Sequence, residues 1–542
     1  MPKKKPIKVP TTGVFDFETL ISDPEAKYVD KTALLYDLAR PQSDAQYFIS
    51  RPRRFGKSLM LSTLKAMFEG RRNLFKGLAI DKLPWEGWKK PYPVLHFDMS
   101  RLSPSEGRDA MKAALLGQIR EYAEVFGVGR LDFDSIGFAF DELLKKVAAA
   151  SRDGKVVVLV DEYDAPITSV LDNPKELRWM RFFLHDFYGR LKSQSGLIRF
   201  LMMTGVSKFT KLSVFSGLNH LTDLSMDSRF ATLLGYTPDE LDGSLRENVE
   251  ALGAKNKMDF AEAKATILSW YDGYRFSPGS EERVCNPVSL GRAFKEGKFE
   301  GYWETTGRAT LIVNRIAKAG KMPNDLENVP ADAFMLDVCD AETLPMEALL
   351  YQGGYLTIKQ VIPPPREPDG QITKSESYVL APPNLEVRES LKRGYLSQVM
   401  GLKESSFNPL VDRAKEQIAS GDIREVAETM LFSLYAQIPP EWRIKDEAEA
   451  KRYFQLFFAM LGANPAPEFP SARGYADAVV ERPDAVYVFE FKYRKSAKAA
   501  IRQIRECGYA DKWIGGKRPV TLIGINFNPK KRNIDIPIVE PA

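Results

Sequence analysis

The sequence predicts an α/β protein in three parts: a parallel sheet flanked by helices at the N-terminus, a mainly helical middle region, and a second α/β core at the C-terminus. Three observations predict this order. Apolar strand-like runs alternate with helical stretches up to about residue 235. Helical patterns then dominate to about residue 440. Strands that flank one further helix close the chain.

The N-terminal part, residues 12–235, begins with a short strand, a basic loop and a helix within residues 45–70. The helix is predicted because Leu61, Leu64 and Phe68 lie on one face. Further strands are predicted at PVLHFDMS (93–100), KVVVLVDEYDAP (155–166) and RFLMMTGVSKF (199–209). The second of these is a continuous apolar run, which is typical of a strand buried in a parallel sheet.

The middle region, residues 236–440, opens with a helix. Thr237 is the predicted N-cap, Pro238 the first helical residue, and Glu240 completes a capping-box pattern. Farther on, strand-like GYLTI and ESYVL flank PPPREPDG and predict a long hairpin rather than a linker between domains. Two aromatic runs, LSWYDGYRF and GYWETTGR, could stack nucleic-acid bases, although such spacing is more typical of a core.

The C-terminal part, residues 441–542, contains a helix, EAEAKRYFQLFFAMLG, a hairpin of two strands, a helix from Ser496 and a final strand, PVTLIGINF. The second strand of the hairpin carries Glu490 and Lys492 between apolar residues. Because side chains alternate across a strand, this charged pair shares one face while Phe489 and Phe491 share the other.

Composition excludes several classes of protein. The chain has 542 residues, of which 44% are hydrophobic and 27% charged, as in ordinary globular proteins. No apolar run is long enough to span a bilayer, and residues 1–11 lack the apolar stretch of a signal peptide, so we expect a cytoplasmic protein with a basic, disordered tail. Three scattered cysteines and three unpaired histidines argue against disulfides, zinc centres and a Ser-His-Asp triad.

Positive charge is concentrated near the C-terminus. From residue 471 onward the chain has 14 Lys and Arg residues but 8 Asp and Glu residues, whereas the net charge of the whole chain is only +5. A basic surface beside a carboxylate site suits a polyanionic substrate. A solvated charged face is the alternative explanation.

The eight residues RPRRFGKS (51–58) resemble a phosphate-binding loop of the form G-x-x-x-x-G-K-[ST]. Gly56, Lys57 and Ser58 fit the pattern, Arg53 and Arg54 add positive charge, and Arg51 replaces the first glycine. About 100 residues later an apolar strand ends in Asp161 and Glu162, as expected of a magnesium ligand and a water-orienting acid. The alternative is a basic turn and a buried strand that happens to end in two acids.

A second acidic pattern is D…ExK, formed by Asp477, Glu490 and Lys492. A turn at residues 482–484 would pair their strands, the two acids would ligate a metal with the carbonyl of Phe491, and the lysine would stabilise developing charge. Glu447 or Glu449 could add an acid from the preceding helix, and Gln503 could support the site. The alternative is a surface Glu-Lys pair beside a hairpin.

Six stretches together resemble the bacterial AAA-ATPase-like family that carries a C-terminal PD-(D/E)XK nuclease-like domain: YVDKT (28–32), RPRRFGKSL (51–59), VDEYDAPI (160–167), FSGLNHL (215–221), YDGYRF (271–276) and LYQGGYLTIK (350–359). The resemblance covers nearly the whole chain. It implies an N-terminal P-loop ATPase, a C-terminal restriction-endonuclease-like core, nucleotide and Mg²⁺ contacts from Lys57 and Ser58, a magnesium-coordinating Asp161 and a catalytic Glu162. Thr204 would occupy a sensor-like position.

The expected function is ATP binding and hydrolysis coupled to metal-dependent cleavage of DNA. The cofactors would be ATP and Mg²⁺, with Mn²⁺ as an alternative at the nuclease site, and the partner would be nucleic acid, with a homo-oligomer left open and no membrane. The alternative is a nucleotide-dependent switch or interaction protein whose nuclease-like domain binds nucleic acid or a partner without cutting it.

Overall fold

The computed structural model describes residues 7–41, 45–131, 133–171, 173–208, 221–303, 309–319, 321–337, 345–365, 371–372, 375–399, 409, 412–414, 416–417, 420, 425–427, 431–436, 444–460, 466–471 and 474–542. The chain forms two compact units. The first unit comprises residues 1–305 and 327–387, and the second comprises residues 306–326 and 388–542.

The first unit begins with two short parallel strands, β1 (Val9–Pro10) and β2 (Ala26–Lys27). Residues 1–6 of the tail that was expected to be disordered lie outside the described residues. The main sheet contains five parallel strands: β3 (Gln46–Ser50), β4 (Val94–Asp98), β5 (Val156–Asp161), β6 (Ile198–Gly205) and β7 (Thr222–Asp223). Their order is β4-β5-β6-β3-β7. The predicted parallel sheet is confirmed.

Burial explains why these strands are apolar. Every residue of β5 is buried, because the strand is central and helices cover both faces of the sheet. The helices of this part of the first unit are Phe17–Ser22, Thr32–Ala39, Lys57–Phe68, Arg108–Val125, Ile136–Ala150, Ala165–Thr168 and Pro174–Ser193. In the helix that follows the basic loop, Leu61, Leu64 and Phe68 are fully buried, as their spacing predicts.

The rest of the first unit is mainly helical. Its helices are Pro238–Asp242, Arg246–Lys255, Phe260–Tyr271, Pro287–Glu296, Ala333–Asp337 and Met346–Gln352. The predicted capping box is present, because the side chains of Thr237 and Glu240 each accept the backbone N–H of the other. The predicted hairpin is also present: β9 (Thr357–Ile362) pairs antiparallel with β10 (Ser377–Ala381), which also pairs with β8 (Val329–Asp332).

The second unit contains a mixed sheet built from six strands: β11 (Ala466–Ser471), β12 (Gly474–Glu481), β13 (Val486–Tyr493), β14 (Val520–Asn528), β15 (Asn533–Ile534) and β16 (Ile538–Pro541). The pair β12 and β13 is antiparallel, as the predicted turn requires, whereas β13 and β14 are parallel. The helix Ala497–Cys507 makes the crossover between β13 and β14. Other helices are Ala309–Lys318, Leu385–Val399, Leu431–Ala436 and Glu447–Met460.

An aromatic cluster joins the helix Glu447–Met460 to this sheet. Phe454 is fully buried, and its ring centroid lies 5.0 Å from that of Phe489 and 4.3 Å from that of Phe491. Phe458 packs beside it at 4.3 Å. Phe489 and Phe491 therefore pack against this helix, whereas Glu490 and Lys492 share the other face of β13 with Val486 and Val488, which belong to the core beside the helix Ala497–Cys507.

Among the described residues, no helix has both the length and the apolar character needed to cross a membrane. Cys285 and Cys507 are free thiols, and Cys339 lies outside the described residues.

Substitution of Phe454 by alanine should remove the anchor between the helix Glu447–Met460 and β13. Truncation of a fully buried phenylalanine leaves a cavity and costs about 3–5 kcal/mol of unfolding free energy. Phe432→Ala is the matched control in the same unit, because Phe432 is 47% exposed. Calorimetric unfolding of the full chain would measure both; equal stability losses in the two variants would contradict the packing described.

Candidate functional sites

The basic loop after β3 turns sharply before the helix Lys57–Phe68 begins. Arg54 and Gly56 have positive φ angles of 68° and 86°. This conformation favours glycine at position 56, whereas a branched side chain there would be strained. The turn leads directly into the N-terminus of this helix, and the free amides of a helix N-terminus attract phosphate groups. Ser58 follows as a half-buried residue of the first helical turn.

Arg51 does not have a positive φ angle, so its position in the loop does not require glycine. Its guanidinium is buried and donates hydrogen bonds to the carbonyls of Ser50, Ser225 and Phe230 at 2.9, 2.7 and 3.4 Å. It also lies 4.1 Å from the ring centroid of Phe276. Burial lowers the pKa of Arg51 to about 10. The arginine therefore anchors the base of the loop.

Lys57 is buried, and its Nζ donates to the carbonyls of Arg51 and Pro52, each at 3.0 Å. Burial lowers its pKa, while the charges of Glu162 and Asp161 oppose that shift. Arg53 is near the same charges, and its Nε has no hydrogen-bond partner among the described residues. The predicted loop residues and the predicted acids are thus brought together.

The acids Asp161 and Glu162 lie at the carboxyl end of β5, beside Thr204 near the end of the neighbouring strand β6. Asp161 Oδ1 accepts hydrogen bonds from Thr204 Oγ1 at 2.6 Å and from the Glu162 amide at 3.0 Å. Glu162 has a φ angle of 47°, which turns it away from the line of the strand. Burial raises its pKa, and Lys57 lowers it. Pairs of strand ends like this are where open α/β sheets bind ligands.

A third acid, Asp164, was missed by the sequence analysis. It is buried, and it accepts hydrogen bonds from the amides of Val206 at 3.1 Å and Ser207 at 2.8 Å. It therefore fixes the chain that leaves β6 beside Thr204. Its place three residues after Asp161 in VDEYDAP was the available signal.

An apolar cavity of about 70 Å³ lies beside Gly56. Its walls include Tyr28, Val29, Met60, Leu233, Leu234 and Tyr236. The motif YVDKT forms one side of this cavity. Asp30 accepts hydrogen bonds from Thr32 and Ala79, and Lys31 Nζ lies 2.6 Å from Glu240 Oε1. The motif thus joins the loop region to the capped helix Pro238–Asp242.

The second site lies on the polar face of β12 and β13. Ala478 pairs with Phe489, so Asp477 and Glu490 are the next residues along the two strands. Asp477 Oδ2 accepts the Phe491 amide at 2.7 Å. Lys492 Nζ donates to Glu490 Oε1 and to the Phe491 carbonyl, each at 2.7 Å. The register therefore brings Asp477, Glu490 and Lys492 together.

This cluster is buried, unlike the surface pair that was the alternative. The side chain of Glu490 is 1% exposed and that of Lys492 is 6% exposed. Burial, together with the nearby charge of Asp477, raises the pKa of Glu490 to about 7, and Lys492 opposes this shift. Glu490 Oε2 is buried and has no hydrogen-bond partner among the described residues.

The helix Glu447–Met460 carries both candidates for the additional acid, Glu447 and Glu449, and their contacts differ. Glu447 Oε2 accepts the Tyr493 amide at 3.1 Å, and Glu447 Oε1 lies 3.4 Å from Lys451 Nζ. Glu449 instead accepts the Lys445 amide at the start of the helix. Glu447 therefore faces the cluster. Lys451, which the sequence analysis missed, lies one turn later on the same face, and that i, i+4 spacing was its signal.

Gln503 lies at the edge of this cluster. Its Nε2 donates to the Tyr509 hydroxyl at 3.2 Å. Burial raises the pKa of Tyr509, and the negative charge of Glu490 contributes to this shift. Gln503 is thus linked to the site through Tyr509.

The donor set suits a hard divalent cation, which prefers oxygen ligands. The unpartnered Glu490 Oε2, Asp477 and the Phe491 carbonyl supply such oxygens. The described residues contain no group of three or more His, Cys, Asp and Glu side chains placed to hold a metal. A cation at this site would therefore need the Phe491 carbonyl and water as further ligands. Asp161 and Ser58 offer oxygens of the same type at the loop.

Comparison with known proteins agrees with this division of the chain. A family model described as a predicted AAA-ATPase, AAA-ATPase-like, matches residues 11–215, and a model of the PD-(D/E)XK nuclease superfamily matches residues 445–536. An uncharacterised protein from the vnfD 5′ region of Azotobacter chroococcum mcd 1 is 33% identical over 98% of both chains. This chain belongs to the AAA-ATPase-like family with a C-terminal PD-(D/E)XK nuclease-superfamily domain. No solved structure matches it significantly.

The two aromatic runs of the middle region are structural where they are described. Tyr271, Tyr274 and Trp303, from the two aromatic runs, are buried, so these residues belong to the core rather than to an exposed stacking surface. Residues 215–220 of FSGLNHL lie outside the described residues.

Replacement of Arg51 by glycine would restore the usual first residue of a phosphate-binding loop, yet it should impair the AAA-ATPase-like domain. Three carbonyls would lose a charged donor, which costs about 3 kcal/mol or more of unfolding free energy. Arg72→Gly is the control, because Arg72 is 60% exposed. Urea unfolding and ATP titration would measure both effects; an Arg51→Gly variant as stable as wild type with tighter ATP binding would contradict the anchoring role.

Proposed function

We propose that the AAA-ATPase-like domain binds and hydrolyses ATP with Mg²⁺, and that the nuclease-superfamily domain is a metal-dependent nuclease that cleaves DNA. The observation that carries the proposal is the convergence of Asp477, Glu490 and Lys492 into one buried cluster. The middle region would transmit the nucleotide state to the nuclease.

Nucleotide binding is supported by the geometry of the loop. Lys57 already lies on the loop carbonyls, where its ammonium can move to the phosphates. Arg53 and Arg54 add positive charge at the same turn. Ser58 and Asp161 would hold Mg²⁺, and Glu162 would orient the attacking water. Thr204 would keep Asp161 in position through their 2.6 Å hydrogen bond.

The apolar cavity beside Gly56 suits the base of the nucleotide. Aromatic and aliphatic walls from Tyr28, Val29 and Met60 provide a dry slot next to the phosphate loop. This assignment gives the YVDKT motif a function, since the same segment lines the cavity and pairs with Glu240 through Lys31.

Replacement of Lys57 by alanine should weaken ATP binding by at least about 100-fold, because the charge-assisted contacts to the phosphates are lost. Lys65→Ala on the same helix is the control, since Lys65 forms only a loose surface pair with Glu69 at 3.9 Å. Isothermal titration with ATP and Mg²⁺ would measure the two affinities. Unchanged affinity in the Lys57→Ala variant would exclude this loop as the phosphate site.

At the nuclease-superfamily domain, Asp477, Glu490 and the Phe491 carbonyl would hold Mg²⁺ or Mn²⁺. When bound, the metal would neutralise charge on the scissile phosphate and lower the pKa of a water molecule. Lys492 would orient that water and stabilise the charge that develops on the phosphate. Its buried contacts with Glu490 and Phe491 hold its ammonium in place. The basic C-terminal segment would attract the DNA backbone.

Substitution of Asp477, Glu490 or Lys492 by alanine should each reduce DNA cleavage by at least about 100-fold, because each removes a ligand or a charge-stabilising group. Asp484→Ala is the control, since Asp484 is 61% exposed in the turn between the same two strands. Linear, circular and single-stranded DNA with Mg²⁺ or Mn²⁺, with and without ATP, would be the substrates. Cleavage close to wild type in all three variants would place the active site elsewhere.

A second candidate function is a nucleotide-dependent switch whose nuclease-superfamily domain binds nucleic acid or a partner without cutting it. One observation favours it: both carboxylates of the D…ExK set are paired with lysines, Asp477 with Lys451 and Glu490 with Lys492. Absence of cleavage by wild type under all these conditions, with ATP binding intact, would select this candidate.

A further inference from the structure

The nuclease-superfamily domain holds a second lysine, Lys451, that the D…ExK pattern does not include. We propose that Lys451 is an internal cation that exchanges with the divalent metal at Asp477 and, once released, holds a phosphate of the bound DNA. This inference rests on the proposed metal site of that domain.

The ammonium of Lys451 contacts two carboxylates, those of Asp477 and Glu447. Its Nζ lies 2.5 Å from Asp477 Oδ1 and 3.4 Å from Glu447 Oε1. The other oxygen of Asp477 accepts the Phe491 amide at 2.7 Å. Both Asp477 oxygens are therefore already bonded, and a metal that takes Asp477 as a ligand must compete with the ammonium of Lys451.

The balance of charges at the site also favours an exchange of Lys451 for the metal. Glu447, Asp477 and Glu490 are three carboxylates, and Lys451 and Lys492 are two ammonium groups, within one connected set of contacts. The two lysines offset most of the negative charge that would attract a cation. Release of one lysine restores the negative charge as the metal arrives, so exchange keeps the total charge more nearly constant than simple addition would.

The two lysines differ in their freedom to move. The Lys492 side chain is 6% exposed, whereas that of Lys451 is 27% exposed. Lys451 extends from a helix and reaches the strands from the side, so its flexible stem can swing toward solvent without breaking the sheet. A compact ammonium released at this place can pair with a phosphate oxygen as a point charge. Lys492, held inside, keeps its position near the metal.

The experiment is a Mn²⁺ titration of the metal-free full-length protein by calorimetry. Lys451→Gln should bind Mn²⁺ roughly 5- to 10-fold more tightly than wild type, because the competing charge is gone. Lys451→Arg, which keeps the charge, should remain close to wild type. Lys498→Gln, which removes an exposed lysine of the same domain, is the control and should also remain unchanged. Glu490→Gln gives the baseline from any other Mn²⁺ site.

A second readout tests the released lysine. Anisotropy of labelled duplex DNA against salt, in a Lys492→Ala background that should not cleave the DNA, should show that Lys451→Gln lowers the log–log slope by about one phosphate contact when Mn²⁺ is present, and leaves it unchanged without metal. An unchanged slope with Mn²⁺ would overturn the phosphate role.

The outcomes separate the two proposals. Equal or weaker Mn²⁺ binding by Lys451→Gln, while Glu490→Gln loses the site, overturns the exchange alone. Identical titrations of wild type and Glu490→Gln overturn the metal site and the exchange together. Tighter binding by Lys451→Gln supports the exchange whether or not the wild type cleaves DNA, so a failure of the nuclease proposal appears only in the cleavage assay.

Discussion

A charged side chain removed from water must be paired, since the penalty for an unpaired buried charge is several kcal/mol, and both candidate sites are organised around this constraint. In the AAA-ATPase-like domain the two buried cations of the loop are satisfied by backbone carbonyls: Arg51 binds three and Lys57 binds two. In the nuclease-superfamily domain the buried cations are satisfied by carboxylates and by the Phe491 carbonyl.

These two solutions have different consequences for the fold. The carbonyls bound by Arg51 belong to β3 and to the chain that follows β7, so one guanidinium links the start of the loop to the edge of the sheet. The positive φ angles of the loop are at Arg54 and Gly56 instead, next to the helix N-terminus. In the second unit, the helix Glu447–Met460 is joined to β12 and β13 by contacts of Glu447, Lys451 and Asp477, next to the apolar cluster around Phe454.

Much of the fold was predictable from local pattern. The buried run of β5, the face of the loop helix, the capping box at Thr237 and the hairpin β12–β13 follow from periodicity and turn chemistry, and all are present. Contacts between residues that are far apart in the sequence could not be predicted, because they depend on how the elements pack. The pattern could not show that Arg51 anchors the loop, because its partners Ser225 and Phe230 are more than 170 residues away in the sequence. Glu447 and Glu449 are equivalent in the sequence, and only the position of β13 separates them.

Lys57 and Lys451 share one feature of their contacts. Each ammonium rests on oxygens of its own site, loop carbonyls for Lys57 and Asp477 for Lys451. A ligand that enters such a site must replace an existing contact of the lysine, because the charge at the site is already paired. Some affinity is thereby lost, but neither of these two lysines is left unpaired in the free protein, where the desolvation penalty would be largest. The displaced ammonium needs a new anionic partner when the ligand binds. Each site therefore favours ligands that carry such a group, and a phosphate group can serve as that partner for both Lys57 and Lys451.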